Sequence, residues 1–187
     1  MRLLETIHAV DGQVLNLIYH QKRLEYSRNT LGFSSELRLE LDPPKNGEYR
    51  CRVLYENKIE KIEYLPYQIR EISSFKLIHS DIEYPLKYED RDEIDLLLGQ
   101  KEKADEIIII KNELVTDTSI ANLCFYDGDS WLTPKYPLLN GTTRQRLLDE
   151  GKIKCADIHY KDIHNYSRIA VMNAMTDFCI IEDAIIL

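Results

Sequence analysis

The chain has 187 residues, enough to bury a sizeable core in one domain or two small ones. A formal net charge of −8, with no local Lys/Arg cluster to reverse it, argues against nucleic acid as a partner. No apolar run approaches the ~18 residues of a membrane helix, and MRLLETIHAVDG meets a turn too early for a signal peptide, so a cytoplasmic protein without a membrane partner is expected.

Leu3 to Val10 and Val14 to Tyr19 flank Asp11-Gly12 and read as a β-hairpin. His20 to Leu31 then carries Leu24, Ser27 and Leu31 on one helical face, with Gly32 as a stop. Arg23 lies in this helix, where an isolated arginine is ordinarily a solvated surface residue. Asp42 to Gly47 is a loop, after which Glu48 to Glu56 and Lys58 to Tyr64 form a second hairpin around Glu56-Asn57-Lys58. Arg50 and Arg52 share one strand face opposite Cys51 and Val53. They make either an exposed polar face or a clamp for a substrate carboxylate. Pro66 to Ser74 lacks the Gly/Ser composition of a flexible linker and reads as the crossover between a smaller half, 1–74, and a larger half, 75–187.

Phe75 to His79 is a strand. Asp90 and Glu93 have the spacing of a capping box, and Ile94, Leu97 and Leu98 recur at helical spacing. A helix is therefore expected directly after Lys87, which sits at a strand-to-helix junction. Glu106 to Ile110 carries four isoleucines, too short for most helices and strongly β-branched, and reads as a buried strand. Lys111-Asn112-Glu113 turns the chain, a return strand delivers Val115 to Ser119, and Ile120-Ala121-Asn122 leads into another strand. Leu123 to Tyr126 and Ser130 to Leu132 pair across Asp127-Gly128-Asp129. Asn140-Gly141 opens a helix over Thr143 to Glu150, stopped by Gly151. Backbone N–H groups at that start, beside two threonine hydroxyls, suit a phosphate, or else form an ordinary helix cap. Cys155 to Tyr160 leads into a polar link, and Arg168 to Asn173 and Cys179 to Ile186 are the last strands. There are no internal repeats. Cys51, Cys124, Cys155 and Cys179 are widely spaced without a CxxC, so buried thiols are expected rather than a disulfide framework or zinc site. His8, His20, His79, His159 and His164 show no metal-ligand spacing, and no metal is expected.

Four segments, in order, resemble the class IV aminotransferases, pyridoxal-phosphate enzymes of fold type IV. His20 to Leu24 matches H-x-x-R-L, and Leu86 to Arg91 (LKYEDR) is similar to the L-K-x-x-x-R segment around the Schiff-base lysine of the lyases. Val115 to Asn122 matches V-T-[ED]-x-x-x-x-N, and Leu139 to Arg144 matches the phosphate loop L-x-G-[IT]-T-R. The four together are far more specific than any one of them.

The resemblance implies an α+β fold of two small α/β lobes with the cofactor between them, and a homodimer acting on a small-molecule amino substrate. It also implies roles. Lys87 carries pyridoxal 5′-phosphate and acts as general base and acid, and Asp117 pairs with the pyridine nitrogen. Arg23 binds the phosphate bidentately, with Asn140, Gly141, Thr142 and Thr143 and the backbone at Asn173-Ala174. Arginine four residues after the lysine is closer to the aminodeoxychorismate lyases of folate biosynthesis than to the branched-chain enzymes, whose stretch is glycine-rich and followed by tyrosine. The expected reaction is thus conversion of 4-amino-4-deoxychorismate to 4-aminobenzoate and pyruvate. The alternatives are a class IV aminotransferase of the branched-chain or D-amino-acid type, and a shortened homologue that serves as a partner protein. Family members usually carry a further strand and a glycine-rich turn before the equivalent of Leu4 to Ile7, and that segment helps wall the substrate pocket and the dimer contact.

Overall fold

The computed structural model describes residues 1–187. Two compact units emerge, one of residues 1–69 with 86–90 and the other of 70–85 with 91–187. Strands and helices are mixed in both, as an α+β fold requires. No helix is long and apolar enough to cross a membrane.

The first unit is an antiparallel sheet with one long helix. It comprises β1 (Leu3–Val10), β2 (Gln13–Val14), α1 (Leu17–Thr30), β3 (Glu48–Tyr55) and β4 (Ile59–Pro66), with strand order β2-β1-β3-β4. Alternate residues Leu3 and Ile7 of β1 and Cys51, Val53 and Tyr55 of β3 point to one face, where they meet Leu24 of α1, Leu39 and Leu86. Asp11 and Gly12 both take positive φ, 47° and 80°, as a two-residue turn between Val10 and Gln13 demands. The strand expected over Val14 to Tyr19 is corrected here. Pairing stops at Val14, Asn16 adopts a left-handed conformation that Asn tolerates, and the chain is helical from Leu17. The buried stripe of α1 is His20, Leu24, Ser27 and Arg28, largely polar.

Residues 86–90 join this unit by pairing with the start of β1. The Leu4 N–H donates to the Lys87 carbonyl (2.9 Å), the Glu89 N–H donates to the Arg2 carbonyl (3.0 Å), and Leu3 bridges to Tyr88. Lys87 therefore lies on backbone paired to a strand and not at a helix start. That pairing delays the helix to Asp92, with Arg91 at the N-cap position making no side-chain cap bond.

The second unit opens with β5 (Ser74–His79), α2 (Asp92–Leu98) and β6 (Glu106–Lys111), with β5 and β6 parallel. β7 (Leu114–Val115) turns back antiparallel to β6. The next strands are β8 (Asn122–Tyr126) and β9 (Trp131–Pro134), then α3 (Thr142–Asp149) and β10 (Lys154–Ala156). A 3₁₀ turn over Tyr160–Asn165 leads to β11 (Arg168–Asn173), β12 (Asp177–Ile181) and β13 (Ile185–Ile186). One sheet has the order β13-β5-β6-β7 and the other β10-β9-β8-β11-β12.

β6 is buried on both faces, which accounts for its unbroken isoleucines. Ile108 and Ile110 pack with Phe75, Leu123, Phe125, Ile169 and Val171, whereas Ile107 and Ile109 pack with Ile78 and the α2 residues Leu97 and Leu98. Leu147 of α3 covers Cys124, Ala170 and Met172 on the five-stranded sheet. Three expectations need correction. The return strand ends at Val115: the Thr116 N–H still donates to the Ile109 carbonyl (3.0 Å), but the Ile109 N–H donates one residue further on, to the Asp117 carbonyl (2.8 Å), and Thr118 to Ala121 then close a side-chain-bonded loop. Cys179 to Ile186 is two strands in different sheets, broken at Asp183 with φ 51°. Cys155 is exposed on the edge strand β10, while Cys51 and Cys124 are buried.

Candidate functional site

In the first unit, a buried acid collects the predicted residues. Glu5 on β1 is fully buried, and its carboxylate accepts two hydrogen bonds from Arg23, Nε to Oε1 at 2.9 Å and Nη2 to Oε2 at 2.5 Å. His20 Nδ1 lies 2.7 Å from Oε2. Burial would push the Glu5 carboxyl up, but the Arg23 charge and the bonds from His20 and Arg23 override it and hold it down at about 2. The His20 ring is pushed below its ordinary value first by burial, against the pull of Glu5, and further by the charges of Arg23 and Lys87. A neutral imidazole beside an ionised carboxylate must donate through Nδ1, which leaves Nε2 an acceptor. Arg23, expected to bind phosphate bidentately, here makes that bidentate contact with Glu5. Lys87 is half-buried, its backbone fixed to β1 one residue from Glu5, and its charge reaches His20.

Glu5 and His20 were not among the expected site residues. The signal for Glu5 was its parity: Leu3, Glu5, Ile7 and Ala9 all point inward on one strand, so an acid at the second place needs a partner inside. Arg50 is exposed, and the half-buried Arg52 pairs with Glu63 on β4 (3.2 Å), so the two occupy the solvent-facing side of this sheet.

In the second unit, the loop after β7 carries Asp117, which is 5% exposed. Asn122 Nδ2 donates to its Oδ1 (2.7 Å) and the Leu139 N–H to its Oδ2 (2.9 Å). Burial pushes this carboxyl up to about 6, against those two bonds and the field of Arg144. The partners within bonding distance are thus neutral.

Gly141 is the N-cap of α3, whose first turn has neither a side-chain cap nor an acidic residue. Thr142 and Thr143 are buried there. The side chain of Asn140 is committed to the helix itself, accepting from Arg144 Nη1 (2.9 Å) and donating to Gln145 (2.9 Å). Arg144 is buried, and its Nη2 donates to the Pro134 carbonyl (2.9 Å). Asn173 Oδ1 accepts from the backbone N–H groups of Met175 and Thr176, fixing the turn that contains Ala174. Asp117, Gly141, Thr142 and Thr143 are thus joined through Asn122 and Leu139, while Arg23 and Lys87 are gathered around Glu5 and His20 in the other unit.

Chemically, the first unit offers a half-buried lysine beside a locked guanidinium–carboxylate pair. The second offers a buried acid poorly supplied with positive charge and an uncapped helix start suited to an anion.

The model for "amino-transferase class IV" matches residues 96–182. A protein of Haemophilus influenzae named only as uncharacterized is 42% identical over 182 residues, 92% of this chain and 97% of that one. The crystal structure of a candidate 4-amino-4-deoxychorismate lyase from Haemophilus somnus is similar with a TM-score of 0.83 and 37% identity, covering 93% of this chain and 96% of that chain. A PLP-bound hypothetical aminotransferase from Mycobacterium tuberculosis shares the fold, with a TM-score of 0.80 at 16% identity over 99% of this chain and 81% of that one.

Proposed function

We propose, since this chain belongs to the class IV aminotransferase family, that it is a pyridoxal-phosphate-dependent lyase converting 4-amino-4-deoxychorismate to 4-aminobenzoate and pyruvate. Two features of the residues present fit the cofactor. Asp117 is a buried acid whose bonded partners are neutral, and a protonated pyridine nitrogen would give it a cation. The start of α3, with no side-chain cap, would take a phosphate on its N–H groups.

Pyridoxal phosphate supplies, when bound, an electron sink for charge formed at the substrate carbon that bears the amine. Lys87 would hold the cofactor covalently in this proposal, and its amine would be the base that takes the proton from that carbon. Asp117 holds a proton at the ring nitrogen. The backbone of Gly141 to Thr143, the hydroxyls of Thr142 and Thr143 and the backbone at Asn173-Ala174 bind the phosphate. Arg23, oriented by Glu5, adds positive charge. As the ring aromatises, the bond from the ring carbon to the ether oxygen of the enolpyruvyl group would break, and the enolpyruvate that leaves would become pyruvate by taking up the proton that Lys87 removed. The two products contain every atom of the substrate, so no second keto acid is consumed.

The likeness to the Haemophilus somnus protein supports lyase over transaminase, as does the resemblance of the Lys87 segment, with arginine four residues on, to that of the lyases. Arg91 donates from Nη2 to the Ser119 carbonyl (2.9 Å) and so braces the loop that carries Asp117, which either reaction would use. The test is to incubate the PLP-loaded protein with 4-amino-4-deoxychorismate and no keto acid, following pyruvate with lactate dehydrogenase and 4-aminobenzoate by fluorescence. Equal amounts of both are expected. Turnover of a simple amino acid that depends on an added 2-keto acid, with no pyruvate from 4-amino-4-deoxychorismate, would replace the lyase by a transaminase.

A further inference from the structure

Asn122 opens β8 and is 5% exposed, yet its side chain serves neither the strand nor solvent. Nδ2 donates to Asp117 Oδ1 (2.7 Å) and to the Leu139 carbonyl (2.8 Å). The Leu139 N–H returns to the other carboxylate oxygen of Asp117 (2.9 Å), so three residues from two loops close a ring. The remaining polar atom, Asn122 Oδ1, abuts Gly141: a Cβ at position 141 would lie 2.0 Å from it, closer than any real contact. This crowding, and not a positive φ, is why the N-cap of α3 is glycine, since Gly141 has φ −67° and ψ 146°, open to any residue.

We propose that Asn122 is a positioning residue that locks the acid at 117 to the turn at 139–141, so that the partner of the ring nitrogen and the cradle of the phosphate are held as one body. The proposal rests on the assignment of Asp117 and Gly141 to the cofactor. Asn122 touches neither the cofactor nor the substrate in it. A residue that only capped β8 would leave Asp117 indifferent to its removal. The geometry requires the reverse, because Asn122 gives the carboxylate one of its two bonds and anchors the turn that supplies the other.

The test is read on cofactor-free, full-length protein labelled with [γ-¹³C]aspartate, with the Asp117 resonance assigned by its loss in Asp117→Asn. Removal of a donor from a buried carboxylate favours the protonated form, so in Asn122→Ala the midpoint of Asp117 should rise by about one pH unit. Gly141→Ala, which keeps both side chains but drives a methyl into Asn122 Oδ1, should raise the midpoint in the same direction and serves alone if Asn122→Ala does not fold. In Asn122→Ala with Gly141→Ala the two effects should not add, because truncation at 122 makes room for the methyl. Unchanged midpoints in folded Asn122→Ala or Gly141→Ala, or fully additive shifts in the double variant, would overturn the proposal. Failure of the cofactor assignment would show separately, as wild-type protein that takes up no pyridoxal phosphate while its Asp117 still responds to Asn122.

Discussion

Replacing Asp117 with asparagine should make the cofactor-free protein relatively more stable as the pH rises. In the folded protein, burial raises the Asp117 carboxyl from an ordinary 3.8 to about 6. A raised acid binds its proton more tightly folded than unfolded, so its favourable contribution is full below pH 3.8 and is lost as the pH climbs through about 6. The interval is roughly two pH units, and at about 1.4 kcal/mol per unit the wild type loses about 3 kcal/mol relative to the variant between about pH 4 and pH 8. Asn at 117 also gives up part of the bonding to Asn122 and Leu139, since an amide can accept through only one atom. That cost is independent of pH and cancels when the two pH values are compared. Urea unfolding of both proteins, without cofactor, at a series of pH values across this range measures the quantity directly. Saturating pyridoxal phosphate should stabilise the wild type at the alkaline end, by mass action, far more than the variant. Parallel stability profiles of the two cofactor-free proteins would refute the inference that this acid lies buried without enough positive charge.

Glu5→Gln should destabilise the protein by about 3 kcal/mol at neutral pH, because a carboxyl held at about 2 instead of 4.5 stabilises the folded state above pH 4.5 and loses that contribution as the pH falls toward 2. Guanidinium unfolding should therefore show a difference from wild type that shrinks on acidification. Ile109→Ala should cost 2–5 kcal/mol by opening a cavity against Ile78 and α2, which thermal unfolding will register as a lower midpoint. The far-UV spectrum should be kept.

What could be read in the sequence follows from how local each signal is. The isoleucines of β6 announce a strand buried on both faces, Asp11-Gly12 announces its turn, and Asn140 to Arg144 announces the start of α3. Each of these depends on a few adjacent residues. The misreadings arise where a distant segment takes over the backbone. Residues 87–89 look like the approach to a helix until β1 pairs with them, and the stretch after Val14 looks like a strand until its ladder with β1 runs out. The tail divides because Ile185 and Ile186 have a parallel partner in β5, far away in the chain. For the site, the motifs pointed to Arg23, Lys87, Asp117 and Gly141 to Thr143. They were silent on Glu5, which engages Arg23, and on Asn122 as the donor to Asp117. These relations run 18 and 5 residues along the chain and appear only once side chains meet inside.

Lys87 is the residue proposed to carry the cofactor. Reduction of the PLP-loaded protein with borohydride, followed by proteolysis and mass mapping, should place one phosphopyridoxyl group on the peptide that contains Lys87, and Lys87→Ala should take up no label. A label on another lysine, or undiminished labelling of Lys87→Ala, would contradict it.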